Sequence, residues 1–309
     1  EREITLFNAN VVNETTKLLK SEVDIIGFHG QTIFHDSKEK ISKQLGDGKL
    51  LSQLTKKKVV YNFRQNDLDN GGQGAPLAPI FHNVIANKIK KEFNKSFPIN
   101  ILNIGGISNV TTTVDEKNLW ESDSIYAYDI GPGNCLIDEW IRRNSKKKFD
   151  DNGNLAKIGK VNDLIFNQAI DNFDFVSFEK SLDVKDFDLS FVKGLSLEDG
   201  CATLTKFTAF LISKGIESVN KKNNLKPEIN LISGGGRKNS FLLKNIKDSL
   251  LTSNQLIENI DNYNFDGDFV ESQAFGYLAI RTYLDLPISF PNTTRCNTET
   301  VGGQIIKNF

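Results

Sequence analysis

INILNIGGI, residues 99–107, is a short apolar run that stops on a glycine pair. A continuous apolar run of this length, rich in isoleucine, reads as a strand buried on both faces, and Gly105-Gly106 as the turn that ends it. Two further stretches repeat the pattern. Tyr126–Ile130 runs into Gly131-Pro132-Gly133-Asn134, and Ile229–Ser233 runs into Gly234-Gly235-Gly236. Asp24–Phe28 and Val59–Phe63 read as two more strands. Helical spacing is present over Lys49–Lys56, Pro79–Ile89, Cys135–Arg142, Ala202–Val219, Phe241–Leu251 and Glu271–Leu284, the last ended by Pro287. In the helix Ala202–Val219, Leu204, Phe207 and Leu211 form one apolar face. Strands that alternate with helices define an α/β architecture. In open α/β sheets, ligands gather at the carboxyl ends of strands. A tight turn explains any one of the three glycine stretches, but three of them at strand ends point to a nucleotide site.

The chain has 309 residues, enough for about two domains. Its net charge of −1 and 25% charged residues exclude a basic nucleic-acid binder and an acidic disordered tail as default readings. No apolar run is long enough to span a membrane, and no leader pattern opens the chain. Cys135, Cys201 and Cys296 are widely spaced and odd in number, which argues against a disulfide frame and fits a cytoplasmic protein. The lysine clusters Lys56–Lys58 and Lys146–Lys148 read as solvated turns. The chain opens on Glu1 and contains no Met, so it is expected to lack its natural start.

Several residues are candidates for chemistry. Gly105 and Gly106 would let the backbone approach a nucleotide phosphate, and Gly234, Gly235 and Gly236 precede a helix whose N-terminus favours an anion or a purine edge. Neither stretch matches the P-loop or the dinucleotide fingerprint. Asp129 ends a strand and suits a general base; it equally suits an N-cap for the helix that carries Asp138 and Trp140. Arg64 and Asp67 leave a strand together and could grip a polyhydroxylated ligand, or form an ordinary surface pair. His29 and Gln31 close the strand Asp24–Phe28 and suit hydrogen bonding to a sugar. The spacing of His29, His35 and His82 matches no zinc signature. Glu271 opens a helix, where a carboxylate is favourable for dipole reasons alone.

Taken in order, GFHGQTIFH (27–35), QLGDG (44–48), NFRQNDLDNGGQGAPLAPIFH (62–82), LNIGGISNV (102–110), YDIGPGNCLIDEWI (128–141), ISGGGRKN (232–239), ESQAFGYLAIR (271–281) and ETVGGQI (299–305) resemble the anhydro-N-acetylmuramic acid kinase family. This family is a branch of the superfamily of actin, the heat-shock ATPases and the sugar kinases. The resemblance implies two ribonuclease-H-like, actin-like ATPase domains with a nucleotide cleft between them. The first would comprise 1–90 with 286–309, and the second 91–285. It implies a reaction of ATP, Mg²⁺ and water with 1,6-anhydro-N-acetylmuramic acid, giving the 6-phosphate and ADP in cell-wall recycling. Asp129 would be the base. His29, Gln31, Arg64, Asp67 and Glu271 would lie on the sugar side. Gly105, Gly106, Asn134 and Gly234–Gly236 would line the nucleotide, with Mg²⁺ held mostly by phosphates and water. The implied partner is a small sugar, with neither nucleic acid nor membrane, and a homodimer is the assembly the family suggests.

Four departures accompany the resemblance. The family's N-terminal phosphate-binding block is not found in the 28 residues before His29, so the first domain is expected to be incomplete there. Asp24–Phe28 would then lack sheet partners. Ile130 stands where the family often has a small residue, Asn62 replaces an acidic residue that often precedes the Phe-Arg pair, and Arg295-Cys296 replaces a glycine-containing turn. Two alternatives remain at this point: an actin-like kinase for another sugar, and a sugar-binding remnant that does not use nucleotide.

Overall fold

The computed structural model describes residues 1–114, 124–173, 181–251 and 255–309. The chain opens with α1 (Arg2–Leu18), β1 (Ile25–Gly27), β2 (Gln31–Asp36), β3 (Ile41–Leu45), α2 (Gly48–Thr55), β4 (Lys58–Tyr61), α3 (Gln65–Asp69) and α4 (Pro79–Phe93). It continues with β5 (Ile99–Ile104), β6 (Ile107–Thr113), β7 (Ile125–Pro132), α5 (Cys135–Asn144), α6 (Asn154–Ile158), α7 (Asp163–Asp171) and α8 (Leu197–Lys222). It closes with β8 (Ile229–Ser233), α9 (Ser240–Leu250), β9 (Leu256–Asn259), α10 (Val270–Tyr283), α11 (Pro291–Thr294) and β10 (Gln304–Ile306).

These elements form two units. One comprises Glu1–Val84, a short segment ending at Tyr126, and Glu271–Phe309; the other comprises the chain from Ile85 and Ala127–Val270. The breaks differ from those expected at 90/91 and 285/286. The first falls inside the single helix α4. The second falls at the start of α10, because Phe275, Leu278 and Ala279 of that helix pack with Val60, Phe63 and Phe290 in the core of the first unit.

In the first unit, β1 pairs with β4 in parallel and β10 joins β4 antiparallel, in the order β1-β4-β10. The strand Ile25–Gly27 therefore has a sheet partner, contrary to the expectation that it would lack any. Helix α2 starts where Asp47 accepts the amides of Lys49 and Leu50, a side-chain cap of the usual kind. Helix α1 was not foreseen; Ala9 on it joins Phe28, Leu51 and Val59 in a second small core.

The second unit holds a five-stranded sheet in the order β7-β6-β5-β8-β9, with β6 antiparallel to β5, and β8 parallel to both β5 and β9. Counted from β5, this is the order 3-2-1-4-5 of a ribonuclease-H-like sheet. Its two middle strands, INILNI and INLIS, are buried nearly throughout. Two of their buried amides pair across the sheet: Asn100 donates to Asn230 at 2.8 Å, and Thr112 of β6 donates to Asn100 at 2.7 Å, as buried amides require. Helix α8 begins at Ser196, which accepts the amide of Asp199, and carries acids in its first turn and lysines in its last, both aligned with the helix dipole. Leu204, Phe207 and Leu211 of α8 pack with Leu136, Trp140 and Ile141 of α5. Ile130 lies against α8 at Gly215, where any side chain would overlap it, so the larger residue is housed by a glycine on the facing helix.

Candidate active site

In the first unit, the residues expected on the sugar side come together at the ends of β1 and β4. The His29 ring places Nδ1 3.0 Å from the Gly30 carbonyl. A carbonyl only accepts, so Nδ1 carries the proton and Nε2 is the acceptor. Arg64 donates to it, with Nε 3.2 Å and Nη2 3.0 Å from His29 Nε2. The ring of Phe275 covers His29 with centroids 4.3 Å apart. Burial, helped by the Arg64 charge, lowers the His29 pKa to about 4, so the ring is neutral at ordinary pH. Arg64 also donates through Nη1 to the Gly74 carbonyl at 2.6 Å. Burial pulls its guanidinium below the ordinary value, and the charges of Glu271 and Asp67 oppose that pull.

Asp67 is placed differently from an exposed ligand grip. It is 1% exposed. Its Oδ2 accepts the Gly74 amide at 2.6 Å, and its Oδ1 accepts the Thr294 hydroxyl at 2.5 Å. Asp67 thus ties the Gly71–Gly74 loop to α11, and through Gly74 it sets the position of Arg64. Glu271, exposed in the first turn of α10, contributes charge toward Arg64. Gln31 is exposed at the start of β2, across from Leu45. It lines a pocket of about 600 Å³ with Phe28, His29, Phe275 and residues of α1, among them Phe7. Beyond this cluster, Arg295 adopts φ 65° as the C-cap of α11, a left-handed conformation that suits the glycine of the family's turn.

In the second unit, the three glycine turns meet at the carboxyl ends of β5, β7 and β8. The Gly133 amide donates to Gly106 O at 2.8 Å and the Asn134 amide to Gly105 O at 2.7 Å. Asn134 Nδ2 reaches the Gly105 carbonyl at 3.2 Å, so Asn134 holds two turns together. Gly133 is required there, because a Cβ would overlap Gly105 O. Gly234 takes φ +76° and leaves no room for a side chain beside Asn103 and the Ile104 carbonyl. Gly105 and Gly106 are open by contrast. A Cβ on Gly106 would meet nothing within 4 Å, and one on Gly105 nothing nearer than 3.5 Å. This is a backbone surface kept bare of side chains, the cradle that a phosphate group needs. The turn Gly234–Gly236 does not run straight into a helix, as expected. A 3-10 turn over Gly235–Lys238 intervenes, and α9 follows with its first turn capped by Asn239.

Asp129 lies in β7, and its Oδ2 accepts the Leu182 amide at 2.8 Å. The N-cap of α5 is Asn134, so the capping alternative for Asp129 does not hold. Among the described residues, no three His, Cys, Asp or Glu side chains gather as a metal site, and no helix is long and apolar enough to cross a membrane.

Sequence reasoning missed Gly74, Phe275, Thr294 and the Leu182 amide. Phe275 follows Glu271 by one helical turn and was in reach of that spacing. Thr294 lies 227 residues from Asp67, and no local signal links them.

A five-stranded sheet of this order, with three glycine turns gathered at its strand ends, belongs to the ribonuclease-H-like class of α/β folds, and such folds bind ligands at the carboxyl ends of their strands. Comparison with known proteins narrows the class. Residues 1–308 match the family model described as anhydro-N-acetylmuramic acid kinase. The chain is 54% identical over 312 residues to the anhydro-N-acetylmuramic acid kinase of Pelagibacter ubique, covering 100% of this chain and 80% of that protein. It is 36% identical over 309 residues to the enzyme of the same name from Zymomonas mobilis, covering 99% and 80%. A solved structure, the activator of 2-hydroxyisocaproyl-CoA dehydratase from Clostridium difficile with bound ADPNP, aligns with 11% identity over 66% of this chain and 69% of that one, at a TM-score of 0.36, too weak to carry an argument. The chain belongs to the anhydro-N-acetylmuramic acid kinase family. The match begins at residue 1 of the chain, which spans 80% of the length of each of these two relatives.

Proposed function

We propose that the chain opens 1,6-anhydro-N-acetylmuramic acid with water and phosphorylates O6 from ATP, giving N-acetylmuramic acid 6-phosphate and ADP in recycling of the cell-wall sugar. The observation that carries the proposal is the family match over residues 1–308. Neither alternative, another sugar kinase or a remnant that does not use nucleotide, is favoured by it.

Asp129 is the proposed base. Its carboxylate, oriented by the Leu182 amide, takes a proton from the water that bonds to C1, as in an inverting glycosidase. The C1–O6 bond breaks and O6 keeps its electron pair. ATP supplies the phosphoryl group that O6 then bonds, so no proton is needed at the leaving oxygen. His29, Gln31, Arg64 and Glu271 are proposed to bind the sugar, with Asp67 holding Arg64 through Gly74. The bare backbone of Gly105 and Gly106 fits the phosphates, and Asn134 and Gly234–Gly236 are proposed to complete the nucleotide side. Mg²⁺ is proposed to accompany the phosphates and to be held mostly by them and by water. The three buried free thiols suit a reducing compartment, and action in the cytoplasm is proposed with it.

The test is turnover in water labelled with heavy oxygen. The label is expected on C1 of the product and absent from its phosphate. Label in phosphate, or an unopened anhydro ring in a phosphorylated product, would overturn the mechanism.

A further inference from the structure

The ISGGGRKN stretch contains a charged residue that the proposed reaction does not use. Arg237 lies in the 3-10 turn that follows Gly234, and its side chain is only 5% exposed. Its Nε donates to Asp261 at 2.7 Å, and its Nη1 donates both to Asp268 at 2.9 Å and to the Gly234 carbonyl at 3.1 Å. The clamp is itself fixed. Asp261 accepts the Gly267 amide at 3.1 Å, and Lys238 reaches the second oxygen of Asp268 at 2.6 Å. Gly267 brings its backbone so near the guanidinium that a Cβ there would overlap Arg237 Nε.

A guanidinium this buried is costly unless carboxylates and hydrogen bonds answer it in full. Here Asp261 and Asp268 do so from farther along the chain, with Asp266 3.8 Å from Nη2, and one Nη1 donor ends on the carbonyl of Gly234. That residue is the one held at φ +76°, so the guanidinium braces the turn where its backbone takes a conformation open to glycine.

We propose that Arg237 is a positioning residue for the nucleotide. Clamped by Asp261 and Asp268, it fixes the conformation of the Gly234–Gly236 turn. The proposal rests on the reading of that turn as part of the nucleotide site. A lysine keeps the charge but cannot serve Asp261, Asp268 and the Gly234 carbonyl from one planar fork.

Steady-state kinetics of Arg237→Lys and Asp261→Asn, with ATP and the anhydro sugar varied separately, test it. The KM for ATP is expected to rise about tenfold, as loss of one charge-assisted bond implies, with the KM for the sugar unchanged within about twofold. An unchanged KM for ATP in a folded variant would overturn the proposal, and so would both KM values rising in step. If Arg237→Lys does not fold, Asp261→Asn carries the same readout, since it weakens the clamp but leaves the guanidinium and Asp268 in place. A wild-type chain without sugar-dependent turnover would refute the assigned function instead, and ATP titration by calorimetry on the same variants would then still read the turn.

Discussion

Gly106 and Gly133 are joined by a 2.8 Å hydrogen bond, yet alanine at each has an opposite expected outcome. At Gly106 the new methyl would meet no heavy atom within 4 Å, and the backbone is outside the left-handed region. The folded chain loses nothing and the unfolded chain loses freedom, so stability should change by between zero and a gain of about 1 kcal/mol. The methyl would nevertheless stand on the bare surface assigned to the phosphates, and the KM for ATP is expected to rise about tenfold or more. At Gly133 the methyl would overlap Gly105 O and lie 3.2 Å from Gly106 O. The two turns must part. Three backbone bonds join them, from Gly133 to Gly106 at 2.8 Å, Asn134 to Gly105 at 2.7 Å and Cys135 to Gly106 at 3.2 Å. At the usual net value of such bonds, Gly133→Ala should lose about 2–4 kcal/mol and melt about 5–15 °C lower. Urea unfolding followed by circular dichroism, beside ATP-dependent kinetics, measures both. An unchanged KM for ATP in Gly106→Ala would refute the placement of phosphates on this turn, and a neutral Gly133→Ala would refute the packing of the turns.

Two further outcomes are expected. Asp67→Ala leaves the Gly74 amide and the Thr294 hydroxyl without their buried acceptor, so urea unfolding should show a loss of about 2–5 kcal/mol; a loss within experimental error would refute the assignment of Asp67 as an internal tie. His29 and His82 both have pKa values lowered to about 4 from 6.5, chiefly by burial. The unfolded chain therefore binds more protons between these values, so these residues cost no stability above about pH 6.5 and withdraw it as pH falls toward 4. Ring resonances followed by NMR should show neither histidine titrating in the native protein from about pH 8 to 5, whereas a midpoint near 6.5 would contradict their burial.

The elements that were legible in the sequence are those whose burial leaves a pattern. INILNI and INLIS are covered on both faces, so an unbroken apolar run was enough, and the bounds Ile99–Ile104 and Ile229–Ser233 match the structure. The hairpin of β2 and β3 was missed because it is exposed to intermediate along its length. Its alternation has no buried face to write into the sequence. Helix α1 buries only Thr5 and Ala9, which gives no apolar stripe. Strand β6, ISNVTTT, is largely buried, but its burial falls on threonines and a serine, which read as a polar stretch. The candidate site divides the same way. Glycine turns at strand ends announce a ligand through local chemistry alone. What a charged side chain does depends on distant partners. Asp67 read as a ligand grip because Thr294 is far away in sequence, and Arg237 drew no attention because Asp261 and Asp268 lie 24 and 31 residues on.

ADP release by this chain, with ATP, Mg²⁺ and 1,6-anhydro-N-acetylmuramic acid, beside an Asp129→Asn control, tests the assigned activity most directly. The account predicts release that requires the sugar and falls by about a hundredfold or more in the control, the factor a lost general base carries. Release that ignores the sugar, or that survives Asp129→Asn unchanged, would contradict it.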